Sequence, residues 1–411
     1  MTNRLFLIQN GLYDQHTHCY SETAALVEAA ERIGLPVVGY AQRKIPEQMA
    51  TLLGVKPAFT FPPGYRTSRD RYCGVLSDYL EMSDAFAADC KVLDDDGCTA
   101  ADHVFVPYAL PVEIYGLAKW LAGRPPNRRP RVMAVHHHPD LEWKAQADRN
   151  KVSGDFSIWR HAFLQLAKVL PAERLFIGAT VPQLAGILHK IADHPVEHVP
   201  WAIWWLDGGF ANERRLERAD PDLGADLIIC GDYRPEKGRD LVPAVLTRLL
   251  AALPSLRIRL QVSRQNFADE VRQQIGLALG ASAANELRIH VGQLSQGDFV
   301  RRLASSRLAL LPYVPTRYAL RGSGVFAEAL GYGVPVVAPA ASWMHDCLAA
   351  GRGAGLVFQQ YTPAGIARTV LDAFVKIELL ERQAAEKAES WRSIHHASTV
   401  LRLLGVNKQP L

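Results

Sequence analysis

The sequence predicts an α/β protein made of two Rossmann-like, doubly wound domains facing each other across a cleft. Three observations carry this expectation. The chain has 411 residues, more than one hydrophobic core usually supports, so two domains are expected. Short runs rich in Val, Ile and Leu alternate with longer amphipathic stretches, the pattern of parallel strands joined by crossover helices. The alternation pauses over residues 196–222, whose polar latter part reads as a connection, and then starts again. The first domain is therefore expected over 1–205 and the second over 206–384, with the last helical stretch, about 385–411, packing back on the first.

In the first half, strands are expected at RLFLIQ (4–9), PVVGYA (36–41), HVFVPY (103–108), RVMAVH (131–136) and RLFIGA (174–179). The clearest helix is SETAALVEAAERIG (21–34), with Ser21 as its N-cap and Gly34 closing its C-terminus. Turn residues interrupt weak periodicity over 42–100, so no elements are assigned there. In the second half, strands are expected at DLIICG (226–231), RIRLQV (257–262), LALLPY (308–313) and VPVVAPA (334–340), with helices at 240–253 and 323–333.

Composition narrows the function. Hydrophobic residues are 48% and charged residues 21%, an ordinary globular profile that excludes a disordered chain. A formal net charge of +4 gives no reason to expect nucleic acid as a partner. The six cysteines (Cys19, Cys73, Cys90, Cys98, Cys230, Cys347) form no CxxC pair, which fits free thiols in a reducing cytosol. Neither a leader-like start nor an apolar run of roughly 18 to 20 residues is found, so a cytoplasmic protein is expected. The basic run GRPPNRRPR (123–131) is compatible with weak peripheral contact with an anionic membrane and, more simply, with a solvated loop.

Open parallel sheets bind ligands beyond the carboxyl ends of their strands. Two loops of the second half lie there: GDYRPEKG (231–238), presenting Gly231, Arg234 and Lys237, and PYVPTRYALRGSGVFAE (312–328). A nucleoside diphosphate needs its charge neutralised, more so as a glycosidic bond breaks. An arginine and a lysine can do this without a metal. Ser323, Gly324 and Val325 stand where a helix begins, so backbone N–H groups and the helix dipole can take phosphate oxygens. Glu328, about one turn further on, suits the ribose hydroxyls.

These residues carry a resemblance. GDYRPEKGRDL together with LLPYVPTRYALRGSGVFAEALGYGVPVVAP resembles the donor half of the family 4 retaining glycosyltransferases of GT-B fold, specifically over 225–345. The resemblance implies donor contacts from Arg234, Lys237, Ser323, Gly324, Val325 and Glu328. It implies a UDP- or GDP-sugar donor, a glycan or glycoconjugate acceptor, and neither cofactor nor metal. The first of the family's two glutamates, which touches the sugar hydroxyls, is replaced by Leu320, with Tyr318 and Arg321 the candidates to contact the sugar in its place. In the first half RVMAVHHHP (131–139) is similar to the family strand that ends in a histidine. His136 matches that position best, as a catalytic residue touching the transferred sugar, and His138 would point the same way if the strand continued. His16 and His18, in the loop 11–20, are expected to approach the acceptor or the donor diphosphate, on the acceptor side or in contact with the sugar. The implied reaction is transfer with retention, the departing diphosphate taking the acceptor's proton, as in polysaccharide biosynthesis.

Two other readings stay open. DQHTHC (14–19) resembles the opening motif of metal-dependent hydrolases of the polymerase and histidinol phosphatase fold, which would need a barrel-like set of strands and further ligands. The other is a nucleotide-sugar-binding protein without transfer, which the absent first glutamate allows.

Overall fold

The computed structural model describes residues 3–15, 17–64, 74–139, 144–145, 152–153, 156–205, 224–284 and 287–406. The chain forms two compact units, one of Met1–Trp204 with His395–Leu411 and one of Trp205–Ile394.

The first unit holds β1 (Leu5–Gln9), β2 (Val37–Gln42), β3 (Val55–Phe59), β4 (His103–Val106), β5 (Arg131–His136), a short antiparallel pair β6 (Lys144–Ala145) and β7 (Val152–Ser153), then β8 (Leu175–Ala179) and β9 (Val196–His198). Seven strands form one sheet in the order β3-β2-β1-β4-β5-β8-β9, all neighbours parallel. Leu7 pairs with Gly39 on one side and Phe105 on the other, so β1 is central and buried throughout. Leu5, Leu7, Phe105 and Met133 pack beneath Leu26 of helix His18–Arg32 and Val400 and Leu401 of helix Ala397–Leu403. Each such fully buried leucine contributes about 1.5–3 kcal/mol relative to exposure.

The second unit holds β10 (Ala225–Ile229), β11 (Ile258–Val262), β12 (Leu287–Val291), β13 (Ser306–Leu310), β14 (Val336–Pro339) and β15 (Gly355–Phe358), in the order β12-β11-β10-β13-β14-β15. Its core joins Leu227, Ile229, Leu260 and Leu308 to Val245 and Leu249 of helix Val242–Ala252 and to Ile366 and Val370 of helix Pro363–Val375. Counted from its own first strand, each sheet runs 3-2-1-4-5, the Rossmann order. The order reverses between β1 and β4 and between β10 and β13. Loops leaving those strands flank the position where such sheets hold ligands.

Three local expectations differ from what is observed. The first helix starts at His18 with Thr17 as its N-cap. Ser21 bonds backward instead, its hydroxyl donating to the His18 carbonyl at 3.2 Å. Strands β3, β9, β12 and β15 lie at positions where the sequence reading assigned none. The chain's return to the first unit begins at His395 rather than about 385. Helix Ile377–Ile394 is held in the second unit, where Trp391 Nε1 donates to the Ala327 carbonyl at 2.8 Å and Arg392 to that of Gly331.

Candidate functional site

In the second unit the loops after β10 and β13 are bound to each other. The Val314 N–H donates to the Glu236 carbonyl at 3.0 Å. Gly238, at φ +82, sits where an added Cβ would lie 1.9 Å from the Pro312 carbonyl oxygen. Only glycine combines that backbone conformation with that approach. Gly231, at φ +95, has the same freedom, and a Cβ there would meet Lys237 Nζ at 2.9 Å and Val325 Cγ2 at 3.2 Å. Three segments therefore converge on one point: the glycine two residues beyond β10, the lysine six residues on, and the start of helix Gly324–Gly331.

Ser323 caps that helix, its hydroxyl accepting the Phe326 N–H at 3.2 Å. The Ser323 side chain is thus engaged within the fold. Of the first-turn N–H groups, which no helix can satisfy internally, those of Gly324 and Val325 are placed to meet a ligand; both residues are half-buried. Glu328, one turn further, is 9% exposed and accepts from Gln296 Nε2 at 2.8 Å. Burial raises its carboxyl to about 7, against the opposing pull of Gln296 and Lys237. Burial likewise lowers the Lys237 ammonium to about 8; Asp232 works against this and Arg234 and Arg321 add to it. Its Nζ lies 5.7 Å from the centre of the Tyr313 ring.

Arg234 lies 3.4 Å from Asp232 and 3.3 Å from Glu236, so its charge is shared with two local carboxylates. Tyr318, assigned to the sugar, is 2% exposed. Its ring meets that of Tyr313 at 4.5 Å between centres, tilted by 35°, and lies under the Arg321 guanidinium at 5.8 Å, which makes it a support. Leu320 is also buried at 2%. Arg321, half-buried, is the polar candidate left beside it.

Two side chains that brace these loops were not singled out from the sequence. Gln296 opens the helix Gln296–Ala304, far from Glu328 in sequence. Gln261, next to last in β11, bridges two loops, its Oε1 accepting the Gly231 N–H at 2.9 Å and its Nε2 donating to the Gly292 carbonyl at 3.1 Å. A glutamine at a strand position, in the run Ile-Arg-Leu-Gln-Val, was the available signal.

In the first unit the histidines separate. His136, the last residue of β5, is fully buried against Trp159 and Phe163. Its Nδ1–H donates to the Ala109 carbonyl at 2.6 Å, and burial lowers it to about 4, so it is neutral. It presents no surface to a substrate, which corrects its assignment as a catalytic residue. His137, one residue on, faces the opposite way. Its Nε2 donates to the Pro107 carbonyl at 2.7 Å and lies 3.5 Å from Glu22 Oε1. Its ring meets Trp201, Tyr108 and His18 at 4.6, 5.3 and 5.6 Å between centres. The strand ends at His136, so His138 does not continue its alternation. His138 donates from Nδ1 to the Pro139 carbonyl at 2.8 Å and meets the Tyr108 hydroxyl at Nε2. It is half-buried. His16 lies outside the described residues.

The loop after β1 is braced from below. Asn10 Nδ2 donates to Glu113 Oε1 at 2.9 Å, and Gln9 Nε2 to Glu22 Oε2 at 3.1 Å. The basic run 123–131 is used internally: Arg124 pairs with Asp94 and donates to the Cys98 carbonyl, and Arg129 donates to the Arg124 and Val169 carbonyls. Among the described residues no group of three or more His, Cys, Asp or Glu is placed to hold a metal ion. Two open sheets stand where a metal-dependent hydrolase of the kind considered above would need a barrel. The five described cysteines are free and buried. No described helix is long and apolar enough to cross a membrane.

Two Rossmann-like sheets in one chain define the GT-B class of fold, and solved structures of that class match over nearly the whole chain. An N-terminal domain of Candida albicans trehalose-6-phosphate phosphatase matches with a TM-score of 0.64 at 13% identity, covering 100% of this chain and 98% of its own. Anabaena Alr3699/HepE, solved with UDP and glucose, matches at 0.63 and 13%, covering 99% of each chain. WaaG, a glycosyltransferase involved in lipopolysaccharide biosynthesis, matches at 0.61 and 14%, covering 99% of this chain and 100% of its own. No protein-family model matches the sequence, and no curated protein does.

Proposed function

We propose that this protein is a glycosyltransferase that moves a hexosyl group from a nucleoside diphosphate sugar, a UDP- or GDP-sugar, to a hydroxyl of a glycan or glycoconjugate. The observation that carries the reading is the convergence of Lys237 Nζ, Gly231 and Val325 at the start of helix Gly324–Gly331, with Glu328 one turn beyond. The glycosyltransferase WaaG and the UDP-bound HepE share the fold, which agrees with this reading.

In this proposal Lys237 and the N–H groups of Gly324 and Val325 hold the diphosphate, with Arg234 and Arg321 adding positive charge. Glu328 accepts hydrogen bonds from the ribose, held in place by Gln296. As the bond from sugar to diphosphate breaks, negative charge grows on the leaving oxygen, and fixed donors stabilise it without reorganising. Transfer proceeds with retention, the leaving phosphate oxygen accepting the acceptor's proton, in the manner of family 4. No metal is needed, because lysine and helix amides neutralise the charge. On the first unit, His18, His138 and Tyr108 are assigned to the acceptor side, the work being done in the cytoplasm.

The test is titration of purified protein with UDP and GDP, followed by assay of sugar release from the corresponding UDP- and GDP-sugars. Tight binding of one nucleotide with slow donor hydrolysis supports the proposal. Absence of binding by both nucleotides refutes it.

A further inference from the structure

The second sheet carries a basic cavity that the diphosphate seat does not use. β11 reads Ile-Arg-Leu-Gln-Val and β12 Leu-Arg-Ile-His-Val. Parallel strands covered by helices on both faces normally read as continuous apolar runs. Here one face carries Ile258, Leu260, Val262 and Leu287 into the core, and the other carries Arg259, Gln261, Arg288 and His290. The register places Arg259 beside Arg288 and Gln261 beside His290. With Arg302 of helix Gln296–Ala304, these side chains line a cavity of about 240 Å³.

No carboxylate is among the described residues of the lining. Like charges directly opposite on neighbouring strands repel, and three guanidiniums here share one space. Arg259 is 7% exposed and has further bonding of its own. Arg302 Nε and His290 Nε2 are buried with no hydrogen-bond partner. Leaving such groups unsatisfied costs free energy, and their usual explanation is a missing ligand, ion or solvent molecule. Guanidinium forks match phosphate oxygens in geometry and charge.

We propose that this cavity binds a small metabolite bearing a phosphomonoester, through Arg302, Arg288, Arg259 and His290. Lys237, Arg234 and Ser323 take no part in its wall, which makes it a second anion site. Gln261 belongs to the wall and also holds the Gly231 N–H. An occupant therefore touches a residue that anchors the loop carrying Lys237.

Calorimetric titration with glucose 6-phosphate, in a phosphate-free buffer, tests the proposal on the whole protein. Wild type is compared with the Arg288→Met/Arg302→Met double variant and with Lys237→Ala. The double variant should bind about tenfold more weakly or worse, as expected for the loss of two charge-assisted contacts. Lys237→Ala should stay within about twofold of wild type, and the double variant's affinity for UDP should change as little. Unchanged glucose 6-phosphate affinity in the double variant, or no binding by folded wild type, overturns the proposal. So does a loss confined to Lys237→Ala, or a parallel fall in UDP affinity in the double variant, since either puts the ligand in the diphosphate seat. If the double variant fails to fold by circular dichroism, Arg288→Met alone decides. Arg288 is exposed on an edge strand, and its loss should weaken binding about threefold or more.

Discussion

The two units repeat one strand order and furnish its ligand-binding end in opposite ways. At the reversal between β10 and β13 the second unit offers Lys237, Arg234, Arg321 and a capped helix start. At the reversal between β1 and β4 the first unit pairs Gln9 with Glu22 and Asn10 with Glu113, all four buried, with His18, Tyr108, His137 and Trp201 close by. A diphosphate requires positive charge and open N–H groups, which the second end has. The first end combines aromatic and imidazole rings with buried, paired amides and carboxylates, whose negative charge disfavours a phosphate. Topology therefore marks where a ligand lies, and the loop chemistry decides which.

The largest expected effect breaks this contrast at its cationic end. Lys237→Ala should weaken UDP or GDP binding about 10- to 100-fold, the range for losing a hydrogen bond to a charged group. Calorimetric titration measures it, and unaltered affinity would remove the basis for placing the diphosphate there. Gly238→Ala forces a Cβ against the Pro312 carbonyl at a left-handed φ. It should destabilise the protein by about 2 kcal/mol or more, read as a lowered denaturation midpoint with donor affinity falling alongside.

Glu328→Ala should weaken nucleotide binding about tenfold, and a nucleotide lacking both ribose hydroxyls should bind wild type and variant equally. The pH dependence sharpens the same assignment. A bound diphosphate favours the charged Lys237, so the ammonium has a higher pKa in the complex than its value of about 8 in the free protein. Affinity is then full below about pH 8 and is lost as the pH rises beyond it, with proton uptake on binding. Glu328, raised to about 7, acts in the other direction: its carboxylate is available above pH 7 and protonates below. Donor affinity should peak between the two. Lys237→Arg should abolish the alkaline decline, and a decline that survives in that variant would show that another group titrates.

The smallest effects are expected at the first unit. His138→Ala should lower turnover about threefold, as for one lost hydrogen bond that positions the acceptor, and leave nucleotide affinity within about twofold, as for an independent site. His136→Phe should cost stability rather than turnover, because the ring is fully buried. A drop in turnover with unchanged stability would restore His136 as a participant.

Much of this was legible in the sequence, and for local reasons. Strand β5 was predicted at its observed bounds because Val132, Met133, Ala134 and Val135 form an apolar run, which a parallel strand buried on both faces requires. The Lys237 loop and the Ser323-to-Glu328 helix start were legible because glycine freedom, capping and one-turn spacing are properties of a few consecutive residues. Strands β3 and β9 were not, since Val-Lys-Pro-Ala-Phe and Val-Glu-His carry lysine, proline, glutamate and histidine at sheet positions that the pairing overrides.

By itself the sequence determined two alternating α/β halves and the chemistry of the two loops in the second, because short-range pattern and residue type suffice for both. Tertiary packing settled that His136 and His137 are both buried while His138 is half-buried, since that depends on where β5 ends and what covers each face. It also decided that Gln296 meets Glu328 and that Arg259, Arg288 and Arg302 share one cavity, because only sheet pairing and helix packing bring residues so distant in the chain within reach of one another.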